Sequence, residues 1–508
     1  MTRAHASDAR PTENRTAGVL LHPTSLPGRY GIGDLGDELI AFLDWAASAG
    51  MRVWQVLPLN PPGYGNSPYG CVSSFAGNPL LISPQRLLQA SLLPEHAADD
   101  VQPFDDDAHV DFDAVTALKR RLLELSWRHF NDNAPDDQRS ALTVFEWENV
   151  WLDDWALFAA LKDRHARKPW AAWSPELASR DPATLAIAAS ELSEAIRFHK
   201  YVQWLFFTQW TAVREAAAAR HVRIMGDVPI YVAGDSADVW SNRELFQLDP
   251  NGQPIVVAGV PPDYFSATGQ RWGNPLYRWD VLRATRYRWW VSRIRASLRF
   301  ADIVRLDHFR GFAAYWEIPA SEPTAVHGRW MPGPGKALFD AIRESLGELP
   351  LVAEDLGFIT PEVHALRHAI GVPGMKILQF AFAQVNSPHL PHSYEPLTVV
   401  YTGTHDNDTA RGWFENADDE EQQRARLYLG LAGIDDEPVD WAFIRAAYTS
   451  VAQTAIVPVQ DILGLGSEAR MNRPGASSDN WAWRLRAGAL TREHATRLRR
   501  LAEISGRV

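Results

Sequence analysis

Cysteine is nearly absent from this chain, which has a single one, Cys71, among 508 residues. One thiol cannot form an intramolecular disulfide, so disulfide-stabilised folds are excluded. This usage is typical of a reducing compartment, and we expect the protein in the cytoplasm. Cys71 lies in a turn-rich segment with no histidine nearby in the sequence, which argues against a nucleophilic thiol.

Long apolar runs and an excess of positive charge are also missing. No window approaches the roughly 18 consecutive apolar residues that a membrane helix needs. Residues 1–17 are polar, lack the apolar core of a signal peptide and are expected to form a disordered tail. The 50 Lys and Arg are outnumbered by 62 Asp and Glu, for a net charge of −12. We therefore expect neither a membrane nor a nucleic acid as partner.

Tryptophan, by contrast, is abundant, with 21 residues. Most of these side chains are expected to fill the core, which is the ordinary use of a large apolar ring. Flat aromatic faces with one polar edge are also suited to stacking on sugar rings. Composition alone leaves the two uses open.

Eight short apolar runs that end in polar or Gly/Pro-rich sequence predict buried strands. They lie at 18–22, 52–58, 222–228, 303–307, 351–355, 375–382, 398–403 and 455–459. Helical patterns lie between several of them, at 36–49, 278–300, 335–347 and 361–370. Alternating strands and helices predict parallel pairing, and eight such units predict a closed (β/α)8 TIM barrel of the α/β class.

The spacing of the predicted strands is uneven and indicates two insertions in a barrel at 18–505. A long helix-like stretch between the second and third strands predicts an inserted helical subdomain at about 84–200. A segment rich in Gly, Pro and aromatic residues, 229–277, predicts an irregular loop insertion on the active face, between strands 3 and 4. The core of the helical subdomain is expected to contain Trp127, Trp147, Trp151 and Trp155.

Four acids lie at or just after predicted strand ends: Asp227, Asp307, Glu354 and Asp406. The carboxyl ends of all barrel strands meet at one face, so we expect these acids to converge. Clustered carboxylates repel one another unless chemistry or a metal requires them. The sequence has no His-x-His or His-Glu-x-x-His pattern, and Arg305 would oppose a cation. We therefore expect neither a metal nor a cofactor.

Cleavage of a glycosidic bond fits these acids better, because it needs one ionised carboxylate and one protonated carboxylic acid. Arg305 and Asp307 point to the same strand face, which predicts that the guanidinium lowers the pKa of Asp307 by about 1–3 units. Glu354 follows an apolar strand, and its pKa is expected to be raised by burial and by Asp307. Taken alone, the Arg305 and Asp307 pair could be a structural ion pair, and the run at Asp406 a capped turn.

Several stretches carry a resemblance to known families that runs from about residue 18 to residue 505. Four of them resemble the conserved regions of the α-amylase clan: GDVPIYV (226–232), VRLDHFRGF (304–312), VAEDLG (352–357) and YTGTHDND (401–408). Five more resemble the amylomaltase family of 4-α-glucanotransferases, glycoside hydrolase family 77. These are LLHPTSLPGRYGIGDLG (20–36), GYGNSPYG (63–70), SFAGNPLLI (74–82), AGVPPDYFSATGQRWGNPLY (258–277) and ARMNRPGASSDNWAWR (469–484).

The resemblance implies a role for each acid. Asp307 would be the nucleophile, Glu354 the general acid/base, and Asp406 the residue that stabilises the oxocarbenium-like transition state through the sugar hydroxyls. Arg305 and His405 would be supporting polar contacts. A bracing role would fall to Asp227.

The resemblance also implies contacts with sugar outside the acids. Tyr69 would be an aromatic platform at the site, Tyr64 a contact for a more remote glucan segment, and Trp272 part of the loop over the acceptor sugars. His22, at the end of the first predicted strand, could contact sugar or cap the loop.

The function implied is retaining transfer of an α-1,4-glucan segment, through a covalent glycosyl-aspartate, to the 4-hydroxyl of another glucan or of glucose. The expected partners are maltooligosaccharides, amylose or glycogen-derived α-1,4-glucans, with glucose as acceptor. An α-amylase-like retaining hydrolase with the same acids remains an alternative, as does a non-catalytic glucan-binding protein. The aromatic segment 258–277 favours transfer, because transfer requires that bound sugar outcompete water.

Overall fold

The structure is a computed structural model that describes residues 15–102, 104, 106–262, 266–431, 437–476 and 478–508. Its strands form an eight-stranded sheet and a four-stranded sheet. In chain order they are β1 (Thr16–Leu20), β2 (Val53–Gln55), β3 (Arg223–Val228), β4 (Val256–Val260), β5 (Gln270–Pro275), β6 (Ile303–Leu306), β7 (Ala314–Pro319), β8 (Arg329–Pro332), β9 (Leu351–Ala353), β10 (Gly374–Ile377), β11 (Thr398–Tyr401) and β12 (Thr454–Pro458).

The larger sheet is parallel throughout, in the order β10-β11-β12-β1-β2-β3-β6-β9. Its two outer strands approach each other, since Ala353 N–H donates to the carbonyl of Pro373 at 2.9 Å. The sheet thus curls into a nearly closed barrel whose strands are almost fully buried. The predicted (β/α)8 barrel is confirmed.

Helices flank this barrel and fill the long connection between β2 and β3. None in the described part of the chain is long and apolar enough to cross a membrane. They are α1 (Asp37–Ser48), α2 (Pro84–Gln89), α3 (Phe112–Asn133), α4 (Asp136–Glu148), α5 (Trp151–Arg164), α6 (Pro175–Ala178), α7 (Pro182–Glu191), α8 (Ser193–Ala219), α9 (Ala237–Ser241), α10 (Trp279–Ala284), α11 (Arg288–Phe300), α12 (Arg310–Ala313), α13 (Lys336–Leu346), α14 (Pro361–Ile370), α15 (Ala410–Asn416), α16 (Asp419–Leu429), α17 (Val439–Thr449), α18 (Val459–Ile462) and α19 (Arg492–Ile504).

The helical insertion between β2 and β3 is present as α2 to α8. Of the four tryptophans expected in its core, Trp127 and Trp155 are buried and Trp151 is partly buried. The prediction is wrong for Trp147, which is 84% exposed. On α4 the buried ring is Phe145, and a residue two positions further along a helix points to the opposite side.

Two predicted elements end differently in the structure. The helix expected at 278–300 is divided into α10 and α11, because Arg286 and Tyr287 have φ of 54° and 55°. The strand expected at 375–382 stops at Ile377, where a 3-10 turn (Leu378–Ala381) begins. An apolar run marks burial but does not show how far the chain stays extended.

The predicted disordered tail, 1–17, overlaps the first strand of the barrel, so its predicted end is wrong by two residues. Of the residues expected to be disordered, 1–14 lie outside the described part of the chain. Thr16 and Ala17 belong to β1, where they pair with Thr454 and Ala455 of β12.

The insertion between β3 and the fourth barrel strand, β6, contains ordered β-structure. Its strands β4 and β5 form an antiparallel pair, which β7 and β8 extend to a four-stranded sheet in the order β5-β4-β7-β8. Residues 263–265 of this insertion lie outside the described part. The sheet places Trp272, on β5, over the carboxyl ends of the barrel strands, next to His308.

Candidate active site

The acids converge where β3, β6 and β9 end side by side. In the register of β3 and β6, Asp227 lies directly opposite Arg305. Asp307 follows β6, and Glu354 follows the next strand, β9. The backbone N–H of Glu354 donates to the carbonyl of Leu306 at 3.0 Å. Parallel pairing therefore brings together residues that are far apart in the chain.

Arg305 is shared between two carboxylates. Its Nη1 donates to both oxygens of Asp227, at 2.7 and 2.6 Å, while its Nη2 lies 3.0 Å from Oδ1 of Asp307. The side chains of Arg305 and Asp227 are buried, whereas that of Asp307 is 30% exposed. Asp307 is thus the member of this triad that a ligand can reach.

The pKa of Asp307 is raised to about 6. Burial raises it most, and Asp227 and Asp406 raise it further, while Arg305 opposes them. Arg305 acts in the predicted direction, but the expected net fall of this pKa is wrong, because burial outweighs the guanidinium. Most Asp307 side chains are still ionised at neutral pH, as a nucleophile must be.

Glu354 is held by two backbone N–H groups. His308 N–H donates to Oε2 at 2.8 Å and Leu356 N–H donates to Oε1 at 2.9 Å. Burial and the negative charge of Asp307 raise the pKa of Glu354 to about 8, against the opposing effect of Arg305 and both N–H donors. This is the direction expected from the sequence, and it keeps the acid protonated at neutral pH.

Asp406 is held by residues from the segment that follows β12. Asn472 Nδ2 donates to Oδ1 of Asp406 at 2.6 Å, and Arg470 donates to its carbonyl at 2.6 Å. His405 Nε2 lies 3.3 Å from Oδ2. Burial acts to raise the pKa of Asp406, but His405, Asn472 and Arg305 outweigh it and lower the pKa to about 2.

Tyr69 links the two sides of the cluster. Its hydroxyl donates to Oδ2 of Asp227 at 2.7 Å, and its ring stacks on His405 with centroids 5.0 Å apart. The ring of Trp481 lies 5.8 Å from that of Tyr69 and 5.9 Å from that of His405. The three rings form one wall beside Asp406.

The sequence analysis did not single out Arg470, Asn472 or Trp481. All three lie in the stretch 469–484, whose family resemblance was the available signal. Their contacts with Asp406, His405 and Tyr69 join parts of the chain that no local pattern connects.

His22 lies close to His405. Both line a cavity of about 30 Å³, which also touches Asp461 and Met471 and has room for water. In the described part of the chain, Nδ1 of His22 and Nδ1 of His405 are buried without a hydrogen-bond partner. Burial and His405 lower the pKa of His22 to about 3. His22 makes no side-chain capping bond.

Two further aromatic residues predicted to contact sugar are exposed. The ring of Trp272 packs nearly perpendicular to that of His308, with centroids 4.8 Å apart, and so lies on the Glu354 side of the cluster. Tyr64, in the 3-10 turn Tyr64–Asn66, is fully exposed at the surface.

Different environments thus give these carboxyl groups different pKa values, as acid and base roles require. Asp406 is ionised, Asp307 is mostly ionised and Glu354 is mostly protonated at neutral pH. The described residues contain no group of three or more His, Cys, Asp or Glu side chains placed to hold a metal ion. The cluster is equipped for general acid and nucleophilic chemistry with its own side chains.

Comparison with known proteins identifies the family. The family model described as 4-alpha-glucanotransferase, Glyco_hydro_77, matches residues 21–491. The chain belongs to this 4-alpha-glucanotransferase family. A 4-alpha-glucanotransferase of Thermus thermophilus is 52% identical over 501 residues, covering 97% of this chain and 99% of the relative. That of Clostridium butyricum is 42% identical over 490 residues, covering 96% and 100%.

Solved structures agree with this 4-alpha-glucanotransferase assignment. The amylomaltase from Streptococcus agalactiae in complex with acarbose has a TM-score of 0.94 and 38% identity, covering 97% of this chain and 99% of that one. The amylomaltase from Corynebacterium glutamicum, at 20% identity and a TM-score of 0.77, shares the fold. The enzyme class predicted from the resemblance is therefore confirmed as 4-alpha-glucanotransferase.

Proposed function

We propose that this 4-alpha-glucanotransferase transfers a segment of an α-1,4-glucan by a retaining double displacement on Asp307. The observation that carries the proposal is the pair Asp307 and Glu354, in which the first is mostly ionised and beside Arg305 while the second is mostly protonated. The acarbose complex of the S. agalactiae relative supports an α-glucan as substrate.

In the first step the carboxylate of Asp307 attacks the anomeric carbon of the donor. The bond from that carbon to the glycosidic oxygen breaks, and the oxygen takes the proton of Glu354. The products are a glycosyl ester on Asp307 and a shortened glucan with a free 4-hydroxyl.

In the second step the 4-hydroxyl of another glucan, or of glucose, attacks the same carbon. Its proton passes to the carboxylate of Glu354 as the ester bond breaks and the carboxylate of Asp307 is released. Two displacements at one carbon retain its configuration.

The neighbouring residues support these steps. Asp406, kept ionised by His405 and Asn472, accepts hydrogen bonds from sugar hydroxyls and stabilises the positive charge of the transition state. Arg305 and Asp227 orient Asp307.

The remaining residues contact sugar directly or position a residue that contacts sugar. Tyr69 forms the wall beside the donor sugar, and Trp272 covers the acceptor and limits access of water, which favours transfer over hydrolysis. Tyr64 contacts a remote part of the glucan. His22 acts through His405, with which it lines one cavity.

The substrates we propose are maltooligosaccharides, amylose or glycogen-derived α-1,4-glucans, with glucose among the acceptors. The single cysteine supports a cytoplasmic location.

Trapping the ester tests this mechanism. Glu354→Gln removes the acid/base, so an activated maltosyl fluoride, which needs little protonation, should form an ester on Asp307 that breaks down slowly. Mass spectrometry of proteolytic fragments should find the added mass on the peptide that contains Asp307. An adduct on any other residue would show that the nucleophile is misassigned.

Matched variants control for nonspecific labelling. Glu362→Gln, an exposed glutamate on α14, should turn over normally and accumulate no adduct. The double variant with Asp307→Asn and Glu354→Gln should not be labelled.

A further inference from the structure

Two exposed aromatic rings lie next to the segments that carry the acids. Phe358 comes shortly after Glu354 and is 73% exposed, and Trp330, on β8, is 38% exposed. Arg310, shortly after Asp307, lies between them. Its guanidinium carbon is 3.9 Å from the ring centroid of Trp330 and 5.7 Å from that of Phe358. Arg310 also donates to the carbonyl of Phe358.

This aromatic pair is continuous with the reacting centre. Phe309 N–H donates to the carbonyl of Glu354, and Glu354 N–H donates to the carbonyl of Leu306, each at 3.0 Å. The segments after β6 and β9 therefore leave the barrel side by side. One carries Asp307 and then Arg310, and the other carries Glu354 and then Phe358.

Trp330 is held in place before any ligand arrives. Arg310 is buried and packs against Trp330, whose other neighbour is Trp316, directly opposite on β7 with ring centroids 5.1 Å apart. Trp316 is itself fixed, since its Nε1 donates to the carbonyl of Ala325 at 2.9 Å. The side chain of Trp330 would therefore lose little conformational entropy when a ligand binds.

Large apolar rings that are exposed together on a surface are typical of a binding site, whereas a single exposed ring is ordinary. A flat aromatic face suits the apolar face of a pyranose ring, and an uncharged ligand is not repelled by a chain with a net charge of −12. The location also sets the direction of the ligand. Glu354 would protonate the leaving oxygen, so the segment that follows it borders the leaving chain.

We propose that Phe358 and Trp330, fixed by Arg310, form an additional binding site for glucose units of long α-glucans. These units lie beyond the reacting bond, on the side of the leaving and accepting chains. The inference rests on the proposed function. It adds a site that a trisaccharide does not need and that a long chain uses.

Kinetics with a short and a long substrate test this site. Phe358→Ala and Trp330→Ala should each raise the KM for amylose, with glucose as acceptor, by about tenfold, with kcat changed by less than about twofold. Disproportionation of maltotriose should keep its kcat and KM. Phe358→Tyr retains a ring and should retain the wild-type KM for amylose.

Trp147→Ala is the matched control, since this ring is exposed on the helical insertion. It should change neither reaction. Phe358→Ala leaves the core intact, because the ring is 73% exposed. An unchanged KM for amylose in this variant would overturn the proposal. Equal losses with both substrates would overturn it too, by placing these rings in the reacting site or the fold.

Two further readouts separate the remaining outcomes. If sedimentation shows that wild type self-associates and Phe358→Ala does not, the rings form a contact between copies and the proposal is wrong. Failure of the Asp307 ester experiment would refute the proposed mechanism instead, since that experiment uses a short donor and does not depend on Phe358.

Discussion

Asp307 and Glu354 have similar carboxyl groups, yet the structure makes one a base and the other an acid at neutral pH. Burial raises both pKa values, but Arg305 lies 3.0 Å from Asp307 and offsets part of the rise there. Arg305 and two backbone N–H donors oppose the rise at Glu354 as well, but there the negative charge of Asp307 adds to the effect of burial. Burial and the negative charge of Asp307 therefore place the proton on Glu354.

At this residue scale we predict a bell-shaped pH dependence of kcat/KM for maltotriose. Asp307 must be ionised, so activity should be lost as the pH falls through about 6. Glu354 must be protonated, so activity should also be lost as the pH rises through about 8. The apparent pKa values of the two limbs belong to the interacting pair rather than to either residue alone. Initial rates from pH 4 to about 10 would measure them.

Glu354→Gln with an activated glycosyl fluoride is the control for the alkaline limb. This variant has no proton to lose at that position, so formation of the ester should no longer decline at high pH. An alkaline limb that persists in the variant would assign that titration to another group.

At the scale of elements, the segment 470–484 after β12 completes the site. It contributes the Arg470 and Asn472 hydrogen bonds to Asp406 and the ring of Trp481 beside His405. The segment is positioned in turn by backbone bonds, such as Asn472 N–H to the carbonyl of His405 at 3.0 Å. Asp406 thus depends on a connection outside its own strand.

We predict that Asn472→Ala lowers kcat by about tenfold to a hundredfold, the effect of losing a hydrogen bond of about 1.5–3 kcal/mol to a charged group. KM should change less, because in the proposed mechanism Asp406 acts mainly in the transition state. Steady-state kinetics on maltotriose would measure both.

The control for this prediction is Asn480→Ala, which removes the bond from Arg473 N–H to Oδ1 of Asn480 in the same segment without touching Asp406. A loss of kcat in Asn480→Ala as large as in Asn472→Ala would mean that general loosening of the segment explains both.

At the scale of the whole molecule, the two ends of the described chain meet at the bottom of the barrel. Arg507 is fully buried, and its Nε donates to the carbonyl of Tyr448 at 2.7 Å. Its Nη1 donates to the carbonyls of Thr16 and Gln453, each at 3.2 Å. Because Thr16 starts β1 and Gln453 precedes β12, this one side chain ties the first strand to the last.

We predict that Arg507→Ala lowers the free energy of unfolding by about 2–4 kcal/mol, since several buried carbonyls lose their donor. Urea-induced unfolding followed by tryptophan fluorescence would measure the change. The folded fraction should keep its kcat, because Asp307 lies at the opposite end of the strands.

Arg500→Ala, an exposed residue on α19, is the matched control and should change stability by less than about 0.5 kcal/mol. If Arg507→Ala is no less stable than this control, the carbonyls it contacts are satisfied in another way.

The barrel, the convergence of the acids at one face and the enzyme class all follow from patterns in the sequence. Apolar runs that end in Asp307 and Glu354 are local patterns, and parallel strands bring such ends to one face whatever the sequence between them. The long family-specific stretches then identified a 4-alpha-glucanotransferase, as the comparisons confirm.

The electrostatics of the site and its supporting contacts, in contrast, depend on the tertiary structure. The pKa of Asp307 rises rather than falls because burial, together with the negative charges of Asp227 and Asp406, outweighs Arg305. Asn472 reaches Asp406 from a segment beyond the last strand. Burial and pairing depend on which distant parts of the chain meet, and the order of residues along one segment does not contain that information.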